Sequence, residues 1–149
     1  MKYFLAVLAL IFVGGITYAQ WAAGTSDVPA YHNTPPAKTE KLPPIMTQQQ
    51  LNEYGLTLPA QKEAYKAAAK VSNVLYQLPC YCYCDRHQGH KSLRSCFEGT
   101  HGANCSTCSQ EALYAYQMSK KGWSVKQIRD GIMRKDFTQI DLENPELVK

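Results

Sequence analysis

The chain has 149 residues, 19% of them charged and 45% hydrophobic, with a formal net charge of +4 at pH 7. That length suits one small domain with extra segments, and so mild and dispersed a positive charge excludes nucleic acid as an expected partner. All six cysteines and three of the four histidines fall between Cys80 and Cys108, so the chemistry is expected there.

Residues 1–19 carry the pattern of an export signal. Lys2 gives the positive start and Phe4 to Val13 the apolar stretch. Gly14 and Gly15 break it, and Thr17-Tyr18-Ala19 places a small residue before the cut. The alternative is an uncleaved anchor, with this segment as the only membrane contact. Tyr3 to Ala19 is somewhat shorter than the ~20 residues of a bilayer span. No cysteine lies near the cut to carry a lipid. Either way the remainder is expected in an extracytoplasmic compartment, periplasmic or secreted.

Residues 20–45 read as a linker, because Pro29, Pro35, Pro36, Pro43 and Pro44 interrupt any helix. A solvated spacer is the expectation, although Val28-Pro29-Ala30-Tyr31-His32 could dock on the domain. The folded domain is expected over residues 46–140, with a tail over 141–149.

Within the domain, Thr47 and Gln50 have capping-box spacing, and a short helix over 48–54 would end at Gly55. After Pro59 one long helix is predicted over 60–77. Its apolar stripe is Ala64, Ala68, Val71, Leu75 and Leu78, and Pro79 stops it just before Cys80. Lys91 to Phe97 suits one or two turns, with Leu93 and Phe97 on one side. A helix is predicted over 109–120, ended by Gly122, with Thr107 and Gln110 as its capping box and Cys108 in its first turn. Ser124 and Gln127 then cap a last helix reaching about Arg134, with Val125, Ile128 and Ile132 facing inward. No alternating β-branched strand is evident, so the predicted fold is all-α. A Cys/His-rich loop would lie between the long helix and a C-terminal helix pair.

Cys80, Cys82 and Cys84 alternate as C-x-C-x-C. In extended chain Cys80 and Cys84 would be ~13 Å apart, too far for one ion with ~2.3 Å sulfur bonds. Sharing an ion therefore requires a coiled loop; otherwise the thiols divide between sites or form disulfides. His101, Cys105 and Cys108 form H-x-x-x-C-x-x-C, three ligands able to converge on a tetrahedral ion. At a helix start the macrodipole is expected to lower the Cys108 thiol pKa. His90 follows a glycine that can aim its ring inward, His87 is the weaker candidate, and Cys96 is a further thiol. Ser109 stands where haem attachment would need histidine. Thiolates and imidazoles together select soft or borderline ions, copper and zinc foremost. Neither a calcium or magnesium site, nor a phosphate loop, nor a serine nucleophile constellation is present.

The strings P-C-Y-C-Y-C-D-R from Pro79, G-H-K-S-L-x-x-C-F from Gly89 and H-G-A-x-C-x-x-C from His101, with Glu111-Ala112 after it, resemble the bacterial C-Y-C-x-C proteins, also called PCYCGC-motif proteins. The resemblance runs from about Ala64 to Phe137. It implies export, in some members as lipoproteins, and selenocysteine in others, which favours redox or soft-metal chemistry. Its motif covers Cys80, Cys82, Cys84, His90, Cys96, His101, Cys105 and Cys108, while His87 falls in variable spacing. Tyr83 stands where the family form has glycine, and the lipobox is missing.

Three readings remain open on sequence grounds. The first is an exported protein binding copper or zinc through those eight residues, without turnover, with a metal-transfer protein as its partner. The second is a thiol oxidoreductase in which Cys105 or Cys108 attacks a partner disulfide and a C-x-C-x-C cysteine resolves it. The third is a domain stapled by three disulfides that binds some protein partner.

Overall fold

A computed structural model describes residues 27–148. The export signal or anchor over 1–19 and the start of the expected linker lie outside the described residues. Among those residues the protein is helical and contains no strand. Six α-helices run in chain order: α1 Gln48–Glu53, α2 Pro59–Lys70, α3 Ser72–Leu75, α4 Cys84–Gln88, α5 Ser106–Lys120 and α6 Val125–Met133. Three 3₁₀ turns, Leu93–Phe97, His101–Asn104 and Asp136–Gln139, join or follow them.

The local signals act as chemistry requires at both capping boxes. Thr47 and Ser124 each accept from the backbone N–H three residues on, and Gln50 and Gln127 return the bond. Gly55 and Gly122 take φ of 72° and 81° just past their helices, a conformation glycine adopts without steric cost.

The scaffold is α2 packed on α5. Ala64, Ala67 and Ala68 of α2 and Ala112 and Ala115 of α5 are all buried in the core, and such small side chains let helix backbones approach closely. Leu51, Leu75, Leu78, Leu93, Phe97, Leu113, Ile128 and Ile132 fill the core around them. At ~25 cal/mol per Å² of apolar surface, each fully buried leucine or isoleucine contributes roughly 1.5–3 kcal/mol.

Three expectations are corrected. The long helix over 60–77 is not continuous. Val71 leaves helical geometry at φ −119° and ψ 29°, so α2 ends at Lys70 and the single turn α3 follows. A β-branched valine followed by Ser72 and Asn73, whose side chains compete for backbone hydrogen bonds, is a weak point for helix propagation.

The described part of the linker is not a solvated spacer. Pro29 is buried, the Ala30 N–H donates to Asp85 Oδ2 at 3.0 Å, and His32 stacks on Tyr76 at 3.8 Å between centroids. Further along, the Tyr76 hydroxyl donates to Glu40, and the buried Arg94 guanidinium donates to the Pro43 carbonyl. Aromatic and proline side chains, spaced to lie along a surface, outweigh the chain entropy that would keep the segment free.

The third correction concerns α5. It starts at Ser106 with Cys105 at its N-cap, so Thr107 lies inside the helix and makes no capping box with Gln110.

Candidate metal centre

Four pieces of backbone deliver the ligands, and each is pinned. Pro79 and Cys80 leave a stretch paired to the next one by the Leu93 N–H to Leu78 carbonyl bond, 2.9 Å. The Tyr83 N–H then bonds the Cys80 carbonyl at 3.0 Å, Tyr83 turns left-handed at φ 57°, and Cys84 opens α4. This is the coiled loop that C-x-C-x-C requires. It brings the Cys80, Cys82 and Cys84 sulfurs within 4.8 Å of one another.

His101 opens the second 3₁₀ turn, which carries the buried Gly102. A Cβ on Gly102 would lie 2.8 Å from the Phe97 ring and 3.0 Å from the Cys96 carbonyl, so only glycine lets the turn sit this close. The Ser109 hydroxyl donates to the Gly102 carbonyl at 2.9 Å, tying that turn to α5. The Tyr65 hydroxyl bonds the Gly99 carbonyl and accepts from the Ala103 N–H, bracing the turn from the other side. Burial pushes that hydroxyl up to about 12, so it stays protonated and able to donate.

The structure brings all eight sequence-predicted residues into one cluster. Cys80 Sγ lies 3.4 Å from Cys82 Sγ and 3.4 Å from Cys108 Sγ, and Cys82 lies 3.6 Å from Cys108. Cys84 is 3.4 Å from Cys96, which is 3.3 Å from His90 Nδ1. His101 Nε2 is 3.6 Å from Cys82, and its ring meets the His90 ring edge to face at 5.0 Å. All six cysteines are free. Cys80, Cys84, Cys96 and Cys108 are buried, whereas Cys82, Cys105, His90 and His101 are partly exposed. His87 is exposed, outside the cluster.

Two four-residue sets emerge, each with its ligand atoms mutually within 4.8 Å: Cys82, His101, Cys105 and Cys108, and Cys84, His90, Cys96 and His101. These groups could hold a metal ion. A tetrahedral ion with ~2.3 Å bonds spaces its sulfurs ~3.8 Å apart, close to the separations seen.

Crowding decides the protonation of the thiols. Cys82, partly exposed, is shifted down by hydrogen bonds from Cys105, Cys108 and Cys80. Cys108 is shifted up by its hydrogen bonds to Cys105 and the other thiols and by burial, because it supplies protons to its neighbours. The expectation that the helix start would lower Cys108 is therefore corrected: its hydrogen bonds to the neighbouring thiols and its burial raise it.

One residue in this region had been given no role. Glu111 is completely buried, its Oε1 accepts from the Tyr81 N–H at 2.8 Å, and Oε2 has no hydrogen-bond partner. Burial pushes its carboxyl up to about 8. Glu111 follows Cys108 by three residues on α5, so both occupy one helix face. That spacing was the available signal.

Fold and site together define a small helical domain with a Cys/His cluster able to hold metal. The chain belongs to the family described as protein of unknown function with PCYCGC motif, whose model matches residues 46–139. No curated protein and no solved structure matches it. The motif's glycine position falls on Tyr83, the left-handed residue of the loop. A glycine requirement there has a conformational cause.

Proposed function

We propose that the protein binds a soft or borderline metal ion, copper or zinc, in an extracytoplasmic compartment and holds or delivers it without turnover. One observation carries the reading: six free thiols and two imidazoles converge in a single cluster, half of its members buried. Packing that many weakly hydrogen-bonding groups together gains little stability by itself, whereas a bound ion converts it into folding free energy. The donor chemistry selects copper and zinc over calcium or magnesium. Export is supported by the pattern of residues 1–19, and the partner would be a protein that donates or accepts the ion. Metal analysis after reloading under reducing conditions tests the reading. Less than about a tenth of an equivalent of copper or zinc would sink it, as would a melting temperature unmoved by chelator. Fractionation of cells, with N-terminal sequencing of the mature protein, tests export.

A second reading has its own observation. Cys82 is partly exposed and its thiol is shifted down by the thiols around it, with Cys108 3.6 Å away. Metal-free, the Cys82 thiolate would attack a partner disulfide, and a neighbouring thiol would displace the partner, leaving it reduced and a disulfide in the cluster. Inability of the metal-free protein to reduce any model disulfide would remove this reading.

A further inference from the structure

We infer that the cluster is a two-ion centre, with Cys82, His101, Cys105 and Cys108 holding an outer ion and Cys80, Cys84, His90 and Cys96 an inner one. This rests on the metal-binding reading. The two four-residue sets share only His101, whose Nε2 lies 3.6 Å from Cys82. Assigned to the outer ion, His101 leaves the inner set one donor short. Cys80 completes it, since its sulfur lies within 4.8 Å of those of Cys84 and Cys96. The eight donors then divide into two sets of four with none left over. A single four-coordinate ion would strand four donors, at least two of them thiols, among groups that hydrogen-bond poorly.

Charge and access sharpen the assignment. Three thiolates and one imidazole balance a divalent ion to minus one and a monovalent ion to minus two, so burial favours a divalent ion such as zinc in each set. The outer set has three partly exposed members, Cys82, His101 and Cys105. In the inner set all three cysteines are buried. The strap at Pro29 and Ala30 lies over it, leaving a gap against Cys80, Cys84 and His90 too narrow to admit water. Cys80, 3.4 Å from both Cys82 and Cys108, touches the outer set as well and gives a path inward for the ion.

The test is a zinc titration of the full, reduced chain followed by native mass spectrometry, with timed removal by a chelator. The expected result is about two zinc ions per chain, one lost quickly and one slowly. Cys105→Ser should keep only the slow ion and Cys84→Ser only the fast one, with circular dichroism confirming the helix content of each. One ion in the wild type would overturn the two-ion inference and leave the metal-binding reading standing. No ion would remove both. Simultaneous loss of both ions from either folded variant would also overturn the division, as would single-phase removal from the wild type, which needs no variant to fold.

Discussion

Glu111→Gln should abolish a pH dependence of stability that the wild type carries in its metal-free, reduced state. The Glu111 carboxyl is fully buried and pushed from 4.5 to about 8 by that burial. Its folded value lies above its unfolded one. Its contribution is therefore fully present below about pH 4.5 and is lost as pH rises toward about 8. At about 1.36 kcal/mol per unit, the wild type should lose ~2–3 kcal/mol between about pH 5 and pH 7 that the glutamine variant keeps. Glutamine can still accept from the Tyr81 N–H, so any constant offset between the two proteins does not affect the slope. Urea unfolding across that range measures it. Parallel curves for the two proteins would refute the reasoning, because they would mean that burial does not hold the Glu111 carboxyl protonated through this window.

Other outcomes rest on single contacts. At most exposed positions alanine is more stabilising than glycine, but Tyr83 sits at φ 57°. Tyr83→Gly should therefore exceed Tyr83→Ala by ~1 kcal/mol in denaturant unfolding; the reverse order would show that the loop relaxes. Gly102→Ala places a Cβ 2.8 Å from the Phe97 ring. It should cost ~1–3 kcal/mol and weaken metal binding through the displaced His101, whereas unchanged unfolding and affinity would contradict that placement. Asp85→Ala removes the acceptor of the Ala30 N–H, a bond of ~1 kcal/mol. Release of the slower zinc ion should quicken by about fivefold; an unchanged rate would mean that the strap does not cover the path.

Much of the scaffold could be read from local chemistry. Thr47 with Gln50 and Ser124 with Gln127 behaved as capping boxes because the partners lie three residues apart, where no tertiary contact competes. The stripe of Ala64, Ala68, Leu75 and Leu78 is buried as its spacing predicts. The break at Val71 was missed because the stripe's spacing runs on across it. The docking of Val28 to His32 was legible only as the alternative to a solvated spacer, and that of Glu40 and Pro43 was missed, because the partners, Tyr76, Asp85 and Arg94, are far away in sequence. Proline content reports only what the segment cannot form.

The ligand set was legible as residue types, and the need for a coiled C-x-C-x-C loop came from sulfur reach alone. Its division into two sets was not, since it depends on how the second 3₁₀ turn brings His101 between two groups of cysteines. Glu111 was hidden for a similar reason. An acid on a helix gives no sign of burial until the Tyr81 backbone is placed against it. The ionisation order of Cys82 and Cys108 likewise depends on which sulfurs become neighbours.

X-ray absorption at the metal edge of the zinc-loaded full chain tests the central claim most directly, because it counts the atoms bonded to the ion. The predicted first shell averages about three sulfurs at ~2.3 Å and one nitrogen at ~2.0–2.1 Å per zinc. A shell of oxygen and nitrogen alone, without sulfur, would contradict the account.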